Sequence, residues 1–190
     1  MQYPTDSATH AIDAQFFYGP SLLISPVTEP DSTSVTFYLP NDIYYDFFTM
    51  KRMQGTGASI TFSNVPSTDI PVHVRGGNII PARVNSASTT TAVRNEDFEL
   101  LVAPDKDGKA SGSLYLDDGE SLLQAGTSEI TFTWDGKIVS MDGTFGYKTS
   151  VGVRSVTVMK EDGAVKYDLN EKLDGPWSHD VGELKQVGMI

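Results

Sequence analysis

The chain is broken into short runs of β-branched and aromatic residues, and this punctuation limits what it can fold into. Val35-Thr36-Phe37-Tyr38-Leu39 alternates apolar with polar, as do Ile60-Thr61-Phe62, Pro71-Val72-His73-Val74 and Asn78-Ile79-Ile80-Pro81. Further β-rich runs cover Ile43 to Phe48, Phe98 to Ala103, Ser111 to Leu116, Ser128 to Trp134, Lys137 to Met141, Val151 to Met159 and Val165 to Leu169. A period of two places one face of each run in a core. Runs of this length, bounded by Gly, Pro, Asp and Asn, predict a mainly β chain built of antiparallel β-sandwiches. Asp105-Lys106-Asp107-Gly108, Trp134-Asp135-Gly136-Lys137 and Glu161-Asp162-Gly163-Ala164 supply hairpin turns, because Asp-Gly tolerates the positive φ that joins two twisted strands.

One segment does not fit an all-β reading. Ser7 to Phe17 carries Ala11, Ala14 and Gln15 behind a capping Asp6 or Ser7, which predicts a helix. The following GPSLLISPV is apolar on both faces, as strands are inside a helix-covered parallel sheet. Together they read as a single αβ unit. Standing alone, such a unit would expose Leu22, Leu23, Ile24 and Phe16 or Phe17 along an unpaired edge.

Composition divides the 190 residues. Residues 1–95 carry five basic and seven acidic side chains, residues 96–190 nine basic and 18 acidic, and nine of the ten prolines lie between Pro4 and Pro104. The Ser/Thr-rich VNSASTTTAVRNED between the halves reads as a surface linker. The net charge of −11 argues against a nucleic-acid partner. The absence of cysteine removes disulfides, thiol nucleophiles and cysteine-based metal sites. The N-terminus lacks the basic start and apolar core of a signal peptide, and the apolar run at Leu22 to Ile24 is too short to span a membrane.

The side chains that could do chemistry mostly have structural readings. Adjacent Asp117 and Asp118 in LDDGE point to opposite faces of a strand, whereas glycoside cleavage needs two carboxyls about 5 to 9 Å apart across one bond. A turn that caps backbone amides is the better reading. Asp105, Asp107 and Gly108 open like a calcium loop but lack the later ligands and the closing Glu, and read as a hairpin. His10, His73 and His179 lack metal-site spacing, and His73 is expected on the polar face of its strand. Gln54-Gly55-Thr56-Gly57-Ala58 and Arg75-Gly76-Gly77-Asn78 read as a loop and a tight turn, and neither Ser21 nor Ser25 sits in a glycine elbow. Tyr44, Tyr45, Phe47 and Phe48 could stack on a sugar, but core packing is the simpler use, as it is for Trp134 and Trp177.

GPSLLISPV, YLPNDIYYDFFT, IPVHVRGGNIIP and FELLVAPDKDGKASGSLYLDDGES, in that order, resemble the C-terminal portion of glycoside hydrolase family 31, the α-glucosidase and maltase family, in its fungal secreted form. The resemblance implies three parts. Residues 1–28 would end the catalytic (β/α)8 barrel with its last helix and strand. Residues 29–95 would form a proximal β-sandwich and residues 96–190 a distal one. Leu22, Leu23, Ile24 and Val27 would then close the barrel, and Val72, Val74, Ile79 and Ile80 would pack the proximal sheet. The family's retaining mechanism uses two aspartates, the nucleophile lying in a W-x-D-M-N-E-type segment that does not occur here. No catalytic, substrate-binding, cofactor or metal residue is therefore assigned, no cofactor is expected, and the chain alone is expected to be inactive. The resemblance further implies a secreted parent that cleaves terminal α-linked glucose from maltose-like oligosaccharides. The implied partners are its catalytic portion and the oligosaccharide which that portion binds, with neither nucleic acid nor membrane among them. The alternative is a free-standing carbohydrate-binding or structural β-sandwich module.

Overall fold

A computed structural model describes residues 2–189, so Met1 and Ile190, the outer limits of the expected first and last parts, lie outside the described residues. The fold is mainly β, as the alternation predicts. In chain order the strands are β1 (Phe16–Tyr18), β2 (Leu22–Ile24), β3 (Ser34–Leu39), β4 (Ile43–Asp46), β5 (Arg52–Gln54), β6 (Ala58–Ser63), β7 (Val72–Arg75) and β8 (Asn78–Arg83). After a short helix, α1 (Thr90–Arg94), come β9 (Phe98–Ala103), β10 (Ala110–Leu116), β11 (Ser128–Trp134), β12 (Ile138–Phe145), β13 (Gly152–Lys160), β14 (Gly163–Lys172), β15 (Trp177–Asp180) and β16 (Gln186–Met189).

Three sheets result. A five-stranded sheet runs β1-β2-β7-β4-β5, a ribbon pairs β3 with β6, and a nine-stranded sheet runs β15-β12-β11-β10-β8-β9-β13-β14-β16. The nine-stranded sheet turns a corner where β8 and β10 meet in parallel at a single register, Asn78 opposite Ser111. Its two halves face each other. Leu100, Val102, Val156 and Val158 of one half share a core with Ile130, Phe132, Val139 and Met141 of the other. The alternation in β11 is accordingly complete: Ser128, Ile130, Phe132 and Trp134 are buried and the residues between them exposed.

The five-stranded sheet is covered on both faces. Leu23 and Tyr44 meet Phe37 and Leu39 of the ribbon on one side. On the other side Ile43, Tyr45 and Val74 meet Leu101, Ala103 and Met159 of the nine-stranded sheet. Tyr44 and Tyr45 are thus both core residues, at 0% and 3% exposure, although they point opposite ways. The sheets stack as a continuous series of apolar layers, and the adjacent Tyr44 and Tyr45 are what two covered faces require, whereas Phe48, in the turn after β4, is 64% exposed and not core as expected.

Several expectations need correction. The helix over Ser7–Phe17 is absent: Ser7–Thr9 forms one 3-10 turn, and Phe16–Tyr18 is a strand. Phe16, Phe17 and Tyr18 alternate instead, with Phe17 packed inward and Phe16 and Tyr18 outward. Tertiary hydrogen bonds outweigh the weak local helix propensity. The αβ unit is therefore replaced by a β1–β2 hairpin whose second strand pairs antiparallel with β7, Leu23 opposite His73. Leu23 is 1% exposed within the chain's own core. Ile79 and Ile80 lie on β8, which pairs with β9 along its whole length in the nine-stranded sheet. The linker region contains α1, whose N-terminus is capped by the Thr89 side chain accepting from the Ala92 amide. No helix among the described residues is long and apolar enough to cross a membrane, which leaves β-barrels aside.

Candidate functional site

The segment before β1 has little regular structure of its own and is held to the five-stranded sheet and the ribbon by side chains. Tyr3 donates its hydroxyl proton to Asp42 Oδ2 at 2.9 Å, so the 2.7 Å contact between the Tyr3 and Tyr44 hydroxyls must be donated by Tyr44. Arg75 Nε donates to the same Asp42 oxygen at 2.8 Å, and its guanidinium lies 5.0 Å from the centre of the Tyr3 ring. Burial, ahead of the neighbouring carboxylate, pushes the Tyr3 phenol up to about 12 and raises Tyr44 as well. Both phenols stay protonated and act as fixed donors.

Gln15 completes the attachment. Its Nε2 donates to the Tyr38 carbonyl at 2.8 Å and its Oε1 accepts from the Tyr38 amide at 2.7 Å, so one amide side chain pairs with β3 as a strand would. The Tyr38 hydroxyl donates to Asp6 Oδ2 at 2.7 Å. These contacts enclose a groove of about 590 Å³ lined by Tyr3, Ile12, Gln15, Phe17, Leu23 and Tyr38. Beside it, β1 is the edge strand of its sheet, with Phe16 54% and Tyr18 72% exposed. Asp6 and Asp42 are both occupied as acceptors for tyrosine and arginine donors, so the surface is suited to contact rather than to proton transfer.

The other residues of interest remain apart. Asp118, just beyond β10, accepts from the Glu120 and Ser121 amides with one oxygen, and the Ser121 side chain, followed by these amides, holds its carboxyl well below the usual range. Asp105 Oδ1 accepts from the Asp107 and Lys109 amides in the expected hairpin. His10 is exposed, and His179 lies 2.8 Å from Glu171. His73 is not on a polar face: it is fully buried between the five-stranded sheet and the ribbon, and burial depresses its pKa. Ser25 is equally buried. Trp134 is core, and Trp177 packs against the same core. Among the described residues no group of three or more His, Cys, Asp or Glu is placed to hold a metal. The groove and the Tyr3 clamp are what sequence reasoning missed; residues 3–15 hold one Tyr, two Asp and one Gln, with no spacing that signals them.

Residues 1–80 match the sequence profile of the glycosyl hydrolase family 31 C-terminal domain. A probable alpha/beta-glucosidase of Arthroderma benhamiae is 46% identical over 180 residues, which is 94% of this chain and 20% of that protein. The chain matches the C-terminal part of glycosyl hydrolase family 31 glucosidases. A probable alpha/beta-glucosidase of Aspergillus oryzae is 50% identical over 157 residues, covering 83% of this chain and 18% of that protein. The chain thus spans about a fifth of the length of the curated relatives it matches. Among solved family 31 structures, the Xanthomonas citri alpha-xylosidase superposes with a TM-score of 0.63 at 25% identity, over 88% of this chain and 19% of that one. A glucosidase II alpha subunit superposes with a TM-score of 0.75 at 26% identity, over 95% of this chain and 24% of that one.

Proposed function

We propose that this chain is the non-catalytic C-terminal part of a retaining family 31 α-glucosidase that removes terminal α-linked glucose from maltose-like oligosaccharides. Its task is to brace the catalytic barrel. The observation that carries this reading is the 46% identity across 94% of the chain to one fifth of a probable alpha/beta-glucosidase. The exposed β1 edge with Phe16 and Tyr18 supports it, because an apolar edge of this kind favours a covering partner. The two catalytic aspartates and the substrate-binding residues belong to the barrel. The proposed division has residues 1–28 at the junction with the barrel, 29–95 as the proximal sandwich and 96–190 as the distal one. Secretion of the parent is part of the same proposal. A free-standing carbohydrate-binding module built on the aromatic run at 44–48 is disfavoured, since Tyr44 and Tyr45 have no exposed ring face and Phe48 alone of the run is open to solvent.

The test is reconstitution. The purified chain is mixed with the separately produced barrel portion of the Aspergillus oryzae relative, and complex formation and maltose hydrolysis are followed. Association, with activity that neither piece has alone, is expected. Turnover of maltose by the chain alone, or no association, would overturn the reading.

A further inference from the structure

Five arginines occur in the chain, at 52, 75, 83, 94 and 154. Three pair with carboxylates: Arg52 with Glu161, Arg75 with Asp42 and Arg154 with Asp97. The other two line one concavity of about 140 Å³ at an end of the two facing halves of the nine-stranded sheet, together with Tyr115, Asp117, Tyr147 and Thr149. Arg83 closes β8, Arg94 closes α1, Tyr115 and Asp117 stand at the end of β10, and Tyr147 and Thr149 lie on the connection from β12 to β13. Loops gathered at the end of a sandwich, on a rigid scaffold, are a common place for recognition.

Both guanidiniums are held by main-chain carbonyls. The Arg83 guanidinium lies 3.8 Å from the centre of the Phe98 ring, and its Nη1 donates to the Arg94 carbonyl at 3.2 Å and to the Glu96 carbonyl. Arg94 Nη1 donates to the Asp118 carbonyl at 2.7 Å. It lies so close over Gly119 that a Cβ there would come within 1.0 Å of it. A carbonyl orients a guanidinium without neutralising it, so each keeps further N–H donors available. The loop itself is held by Asp118, which accepts from the Glu120 and Ser121 amides, so Asp117 is free of that structural task.

Fixed forked donors, a carboxylate acceptor and two phenol rings are what a polyhydroxylated ring requires. Hydroxyl oxygens accept from guanidinium, hydroxyl protons go to the carboxylate, and the C–H face lies against an aromatic ring. An inorganic anion would be drawn by the guanidiniums but would meet the Asp117 charge in the same small space. We propose that the Arg83–Arg94–Asp117–Tyr147 pocket is a saccharide subsite that takes one neutral hexose unit of an oligosaccharide. It is an ancillary site on this chain's own surface, and binding there involves no bond cleavage.

Titration of the isotope-labelled 190-residue chain with maltotriose, followed by NMR, tests this. Saturating shifts are expected at the Arg83 and Arg94 Nε–H groups and around Tyr115 and Tyr147, with a dissociation constant in the range of about 1 mM. Asp117→Asn keeps the shape of the pocket and should weaken binding by about tenfold with no change in thermal midpoint. Tyr147→Ala should do the same, and if it does not fold, Asp117→Asn alone decides. Absence of shifts, shifts confined to other surfaces, or unchanged affinity in Asp117→Asn would overturn the proposal. Tighter binding of inorganic phosphate than of maltotriose at these residues would also overturn it, by making the pocket an anion site. Because no activity is read, the outcome is independent of the α-glucosidase reading.

Discussion

The ring of His73 lies 5.1 Å, centre to centre, from the ring of Phe37 across the gap between β7 and β3, with neither nitrogen hydrogen-bonded. Phe62 approaches it from β6 at 5.6 Å, Leu23 stands opposite on β2, and Asp46 of β4 is the ionisable side chain that faces it. Desolvation in this apolar box disfavours the imidazolium and outweighs the attraction of Asp46. The folded pKa is therefore below the unfolded value near 6.5, and the unfolded chain binds the proton more readily. Stability is full above that value and is lost as the pH falls below it towards the depressed folded pKa, with a slope of at most about 1.4 kcal/mol per pH unit. Replacing His73 by Phe should remove this component. Thermal melts from neutral to mildly acid pH should fall less steeply for His73→Phe than for the parent chain. Parallel slopes would refute the assignment.

Asp42 accepts from both Tyr3 and Arg75, so it couples the N-terminal segment to the sheet. Asp42→Ala leaves a half-buried guanidinium and a half-buried phenol without their acceptor, and should cost about 1 to 3 kcal/mol. Tyr3→Phe removes only one donor and should cost about 1 kcal/mol. Because they share a partner, the pair should be non-additive by at least about 0.5 kcal/mol in urea unfolding. Simple additivity would mean that Tyr3 and Asp42 do not act as a unit.

How far the sequence reveals the fold depends on how many faces each strand buries. β11 meets one core and one solvent face, so its alternation is readable directly. β4 buries both faces, and its adjacent tyrosines look the same whether they are core or ligand platform. His73 alternates with valines, which suggests a polar face, but the ribbon of β3 and β6 covers that face from sequence-distant residues. The β1 strand is three residues long and depends on β2 and on Gln15 bonding to Tyr38, neither of which propensity can register. The candidate sites are the least legible. Arg83, Arg94, Asp117 and Tyr147 follow no spacing rule, and it is the corner between β8 and β10 and the β12–β13 connection that bring them together.

That corner depends on a close backbone approach. A Cβ on Gly112 of β10 would lie 2.0 Å from the carbonyl oxygen of Ile79 on β8, an atom that cannot rotate away. Gly112→Ala must therefore part the strands where the two halves of the nine-stranded sheet join, at a cost of about 1 to 3 kcal/mol. Gly188 on the edge strand β16 has nothing within 4 Å of such a position, so Gly188→Ala should stay within about 0.5 kcal/mol of the parent. Chemical denaturation of the two variants side by side measures the contrast, and equal midpoints would show that the approach at the corner relaxes freely.

The bracing role makes a prediction about the residues that stability does not need. Phe16 and Tyr18 point outward from the edge strand β1, while Phe17 between them packs on Leu23 and Tyr44. Phe16→Ser and Tyr18→Ser remove exposed apolar surface, so the melting of the isolated chain should change little, and its tendency to self-associate should fall. If the barrel portion covers this edge, the same variants should weaken its binding, with each aromatic worth about 2 kcal/mol or more as a buried anchor. Phe17→Ser should do the reverse, lowering the melting temperature of the chain directly. Calorimetric titration of the barrel portion into each variant, with melts of the variants alone, separates the two effects. Unchanged affinity in Phe16→Ser and Tyr18→Ser would place the contact with the barrel away from the β1 edge.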